Sequence, residues 1–133
     1  MRKDNSGFSL IELIIVVAIM AVLIGVLAPQ YIKYVKDSKI SYDINNADEI
    51  ANATSVALAD PNVPLTVPAP GSTITVTAAD LPNVNAFPQS KVNSSYAWVV
   101  TVGANGVDNI TLGTYEIWPN PDDATNGYRT IHN

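Results

Sequence analysis

Glu12 is the side chain whose position most narrowly constrains its chemistry. It is the single charged residue in the 21-residue apolar run Phe8–Ala28, FSLIELIIVVAIMAVLIGVLA. In a bilayer-spanning helix a carboxylate costs about 2.5–3.5 kcal/mol on insertion scales, so such residues face a partner. No cation lies within the run. One could be made. Cleavage between Gly7 and Phe8 would convert the Phe8 amide into a free amine, about one helical turn from Glu12. On one rigid helix that amine is poorly placed for its own Glu12, but it can reach the Glu12 of a copy shifted along an assembly axis. A buried pair of this kind is weak evidence for stability and can set register.

Other chemistry has little support. His132, the one histidine, stands next to the last residue and reads as a solvated tail rather than a general base. Asn120, Asp122, Asp123 and Asn126 precede Gly127. Oxygen ligands in a tight loop can hold calcium, which makes Asp122 and Asp123 weak candidates, but the spacing is not that of an EF-hand and a solvated turn is the preferred reading. There is no cysteine, no glycine-rich phosphate loop and no Gly-x-Ser-x-Gly elbow. No catalytic residue and no cofactor is indicated. The net charge of −5 is asymmetric: beyond Lys39 only Lys91 and Arg129 oppose nine acidic side chains. No nucleic-acid site is expected on such a surface.

These residues need elements to position them. Phe8–Ala28 as a helix spans roughly 30 Å, the hydrocarbon thickness of a bilayer. Arg2 and Lys3 before it place the N-terminus in the cytoplasm, although Lys33, Lys36 and Lys39 after it run against that rule. A secretory signal peptide fits less well, because the run is long and Pro29 would follow the cut. A plain anchor leaves Glu12 unexplained.

Beyond the run the pattern is amphipathic. Ile40, Ile44, Ala47, Ala51, Thr54 and Leu58 recur at helical spacing, with Lys39, Asp43, Asn45, Asp48, Glu49 and Asn52 between them. The helix should continue over 29–59 and stop at Asp60-Pro61. Pro29 within it removes a backbone donor, so a kink or local melting is expected near Val26–Pro29. Tyr31, Tyr34 and Tyr42 read as packing residues near a membrane interface.

Residues 60–133 read as a small globular β-sheet region. Asp60–Ser72 is proline-rich loop, Thr73–Thr77 a short strand, and Thr77–Asp80 a capped helical turn. Tyr96–Val102 is the strongest strand, with Tyr96, Trp98, Val100 and Val102 on one face. Gly103-Ala-Asn-Gly106 signals a hairpin. Asn109–Trp118 is then one returning strand, and Tyr128–Ile131 a last edge strand.

The string Gly7-Phe8-Ser9-Leu10-Ile11-Glu12 with its apolar run resembles the processing motif of type IV pilins, particularly the IVa subclass, and of type II secretion pseudopilins. The resemblance covers residues 1 to about 50. It implies a leader over 1–7, a membrane and filament-core helix over 8–28, cleavage after Gly7 by a prepilin peptidase, N-methylation of Phe8, and an assembly role for Glu12. Pro29 fits the family as well. The implied fold is α+β, a long N-terminal helix packed by its C-terminal half on a small antiparallel sheet. The implied function is a structural subunit that waits in the cytoplasmic membrane as a single-pass precursor. Membrane assembly machinery then builds it into a homo-oligomeric filament on the cell surface. A pseudopilin of a secretion or competence system is the near alternative, and a membrane-anchored extracellular binding module the distant one. Many Gram-negative pilins staple a C-terminal loop with two cysteines, and this sequence has none.

Overall fold

The computed structural model describes residues 7–82 and 84–132; residues 1–6, most of the expected leader, lie outside that range. It contains one long helix, α1 (Leu10–Ala59), and four strands: β1 (Ile74–Val76), β2 (Trp98–Gly103), β3 (Gly106–Leu112) and β4 (Tyr115–Trp118). A 3-10 turn at Ala78–Asp80 and a short C-terminal helix, α2 (Tyr128–His132), complete the set. The strands form one antiparallel sheet in sequential order β1-β2-β3-β4. The α+β arrangement is pilin-like, as the resemblance implies. The chain divides into two compact units between Val35 and Lys36.

In the first unit the helix is apolar all round and exposed along its length, from 45% at Val16 to 75% at Leu10. An all-apolar helix belongs inside a core or a membrane, and within one chain this one has neither. The helix is uninterrupted through Pro29, so Val26–Pro29 are helical rather than melted.

The second unit carries its own core. Ile40, Ile44, Ala47, Ile50, Ala51, Thr54 and Ala57 line one stripe of α1 and are buried. They pack with Val76, Val100, Val102, Ile110, Leu112 and Ile117 from the sheet. Burying a branched aliphatic side chain of this size is worth about 1.5–3 kcal/mol. The sheet register aligns Val76, Val100, Ile110 and Trp118 in one inward row across all four strands. The neighbouring row, Thr75, Thr101 and Asn109, faces outward.

The hairpin expected at Gly103–Gly106 is present, joining β2 to β3. Thr77–Asp80 forms the capped turn. The Asp80 carboxylate accepts the Thr77 N–H at 2.8 Å and its hydroxyl at 2.7 Å. These bonds, the backbone one first, lower the Asp80 pKa.

Two of the strand expectations fail. The single returning strand over Asn109–Trp118 is two strands, because the chain reverses after Leu112. Gly113 adopts φ +67, a left-handed conformation that a side chain resists, and the Tyr96 ring lies over it. Tyr128–Ile131 is not an edge strand but part of α2. Strand-like pairing there is limited to one isolated bridge, Glu116 to Gly127. The chain then turns helical, the Ile131 N–H donating to Gly127 O at 3.1 Å and the Arg129 N–H to Pro121 O at 2.8 Å.

Candidate assembly site

The N-terminal residues are set by the way α1 begins. Gly7 and Phe8 are exposed and outside any helix or strand, and Phe8 is 90% accessible. Ser9 stands at the N-cap position, and Glu12 is the third helical residue. The Glu12 Oε2 accepts the Ser9 N–H at 3.0 Å. This is the carboxylate half of a Ser-x-x-Glu capping box, and a negative charge there also suits the positive end of the helix dipole. The reading of Glu12 as a charge without a partner overlooked this local contact, although the spacing is visible in the sequence. The carboxylate turns back toward the residues at which cleavage would create an amine. A glutamine could make the same cap; only a carboxylate can form an ion pair.

The second unit holds a polar cluster that sequence reasoning missed. Asp43, assigned above to the polar face of the helix, is fully buried. Its Oδ2 accepts the Tyr128 hydroxyl at 2.6 Å, the Ser90 hydroxyl at 2.7 Å and the Val92 N–H at 3.3 Å, and its Oδ1 accepts the Lys91 N–H at 2.9 Å. A buried carboxylate is tolerated only when its lone pairs are filled in this way. Burial, reinforced by Asp43, raises the Tyr128 pKa well above its ordinary value. The cluster ties the long helix, the 90–92 loop and the C-terminal segment together, and no cysteine is involved. The sequence signal was an acid one residue before Ile44, on the flank of the apolar stripe, which periodicity alone assigns to solvent.

His132 is likewise not a solvated tail. Its ring packs at 4.7 Å from Tyr115, 4.6 Å from Tyr128 and 5.8 Å from Tyr96, centroid to centroid. Nδ1 lies 2.8 Å from the Tyr128 carbonyl, which can only accept. In the neutral ring Nδ1 therefore carries the proton, and Nε2 accepts from the Tyr96 hydroxyl at 3.3 Å.

Asp122 and Asp123 are engaged with the protein. Asp122 pairs with Arg129 at 3.2 Å. The Asp123 Oδ1 accepts the N–H groups of Thr125 and Asn126 at 2.8 and 3.1 Å, and these bonds lower its pKa. Among the described residues no group of three or more His, Cys, Asp or Glu converges on a metal position. A surface groove of about 510 Å³ runs past Ser55, Leu58, Val67, Val107 and Trp118, and no titratable side chain lines it.

The sequence of the apolar segment is also recognisable by comparison. Residues 2–28 match the family model described as the prokaryotic N-terminal methylation motif.

This N-terminus carries a prepilin-type methylation motif.

Curated relatives point the same way. The chain is 43% identical over 60 residues to "Prepilin peptidase-dependent protein A" of Clostridium perfringens, covering 44% of this chain and 42% of the relative. It is 37% identical over 60 residues to "Type IV major fimbrial protein FimA" of Dichelobacter nodosus, covering 45% of this chain and 38% of the relative. The chain thus spans about two fifths of the length of these relatives. No solved structure matches. The motif places Gly7, Phe8 and Glu12 in one recognised segment. The Asp43 cluster lies outside it.

Proposed function

We propose that the chain is a structural, non-enzymatic subunit of a type IV pilus. A prepilin peptidase removes residues 1–7 and the new Phe8 amine is methylated. The precursor is held in the cytoplasmic membrane by Phe8–Ala28, N-terminus inside. Assembly machinery then transfers it into a helical homopolymer at the cell surface, apolar segments bundled at the centre and sheets outward. The Phe8 amine of one subunit pairs with Glu12 of its neighbour and sets the register of entry. Pro29 supplies the kink at which the helix adapts to the bundle.

One observation carries this reading: an apolar helix exposed on every side, with one carboxylate, begins inside the methylation motif. Such a surface needs lipid before assembly and other copies after it, and apolar contact over its length supplies the cohesion. The names of the relatives support peptidase processing and a fimbrial product.

N-terminal sequencing with mass spectrometry tests processing. A mature chain starting at N-methyl-Phe8 is expected, and an intact Met1 would favour a membrane-anchored binding module instead. Shearing should release long filaments; retention of processed chain in the envelope points to a pseudopilin. Glu12→Ala and Glu12→Gln together separate capping from charge. Both should be cleaved normally and fail to assemble, since Gln keeps the cap but loses the ion pair. Normal filament yield from Glu12→Gln would refute the pairing.

A further inference from the structure

We propose that the groove between the end of α1 and the β2–β3 hairpin binds a neutral, hydroxyl-rich ligand, a mono- or disaccharide. The groove lies wholly within the second unit. Ser55, Leu58 and Ala59 line it from α1, Val67 from the proline-rich loop, Asn105 from the hairpin tip and Trp118 from β4. Its volume of about 510 Å³ falls within the range of small-molecule clefts, about 300–1,000 Å³.

Trp118 is the aromatic wall. It packs against the core and is only partly buried. Its indole N–H meets no acceptor among the described residues and stays open to solvent. The Trp98 N–H differs, donating to Pro88 O at 2.6 Å. An indole that is packed on the core while its N–H is wet suits a ligand with an apolar face and a polar rim. A pyranose ring is built that way. Its C–H groups can lie on the negative face of the indole while its hydroxyls point around the edge.

The polar atoms supply what hydroxyls need, since each hydroxyl both donates and accepts. The carbonyls of Leu58 and Ala59, in the last turn of α1, accept no hydrogen bond among the described residues, and no basic side chain stands in that turn. Ser55 Oγ donates to Ala51 O at 2.8 Å and keeps its acceptor side. Asn105 is exposed and offers an amide donor and an acceptor. No titratable side chain lines the groove, so nothing there offsets the charge of an ionic ligand.

The test follows the indole N–H signals of the full chain, nitrogen-15 labelled, in a polyoxyethylene detergent that carries neither sugar nor charge. The chain has two tryptophans, and Trp118→Phe assigns their signals. The probes are N,N′-diacetylchitobiose and cellobiose. At least one should move the Trp118 signal and leave the Trp98 signal, whose N–H is already bonded, in place. Asn105→Ala removes an exposed side chain and should weaken binding about two- to tenfold, the value of one neutral hydrogen bond. Unchanged affinity in that variant overturns the placement of the ligand. No movement of the Trp118 signal up to the solubility of either sugar, or equal movement of both tryptophans, overturns the site. Movement with tetramethylammonium, or with a peptide of residues 60–72, but with neither sugar assigns the groove to a cation or to the proline-rich segment of a second copy, and overturns the saccharide. None of these outcomes bears on cleavage after Gly7 or on filament formation.

Discussion

Tyr128→Phe removes one hydroxyl from a buried carboxylate while keeping the ring that packs against His132. Hydrogen bonds to charged groups contribute about 1.5–3 kcal/mol. Asp43 would keep the Ser90 hydroxyl at 2.7 Å and the amides of Lys91 and Val92 at 2.9 and 3.3 Å. With these three donors left, the loss should fall near the low end, about 2 kcal/mol. For a unit of this size that lowers the Tm by roughly 8–16 °C. Asp43→Ala is harsher, because it takes the carboxylate away from two buried hydroxyls and the Lys91 amide, while the Val92 N–H keeps Ser90 Oγ at 3.2 Å. A cost of about 3 kcal/mol or more is expected. In the double variant the penalties should overlap by about 1–2 kcal/mol, since both changes break the same bond. The assay is thermal unfolding of the full chain in detergent, followed by near-ultraviolet circular dichroism from the second unit's aromatic residues. A Tyr128→Phe variant within about 0.5 kcal/mol of the parent, or additive behaviour in the double variant, would refute the claim that this contact fastens the C-terminal segment.

The same hydroxyl sets an alkaline limit. The Tyr128 pKa is raised on folding, so its contribution is fully present below the ordinary tyrosine value near 10 and is lost as pH rises above it; Tyr128→Phe should flatten stability measured across that range. Gly127→Ala should destabilise the C-terminal turn. A Cβ there would overlap the Asp123 backbone nitrogen and carbonyl oxygen, so backbone has to move. A loss of about 1–3 kcal/mol is expected, read by the same melts, and an unchanged Tm would contradict the geometry.

Local features were legible in the sequence because short-range physics makes them. The apolar run has the length of a bilayer, and the helical recurrence of Ile40, Ile44, Ala47, Ala51 and Thr54 marks the face that α1 buries. Asp60-Pro61 ends the helix, and the glycines at 103 and 106 mark a hairpin. Even the Ser9–Glu12 cap is written in its Ser-x-x-Glu spacing. The reversal at Gly113 was missed because a glycine inside a β-branched stretch does not say whether it bends the strand or ends it.

What the sequence by itself determined is the N-terminal device: an apolar helix of membrane length that opens in Gly-Phe-Ser-Leu-Ile-Glu. Every part of it lies within a few residues of its neighbours, so periodicity and motif suffice. What only the tertiary structure decided is how the C-terminal end is held. Asp43 meets Ser90 across 47 residues and Tyr128 across 85. No local pattern reports contacts at that separation. Taken alone, an aspartate on a helix flank and a histidine near the end of the sequence read as solvent-facing, and Tyr128 as the start of an edge strand. Folding turns Asp43 inward, where a carboxylate survives only with its acceptors filled. That requirement is met in part by Tyr128, the buried first residue of α2.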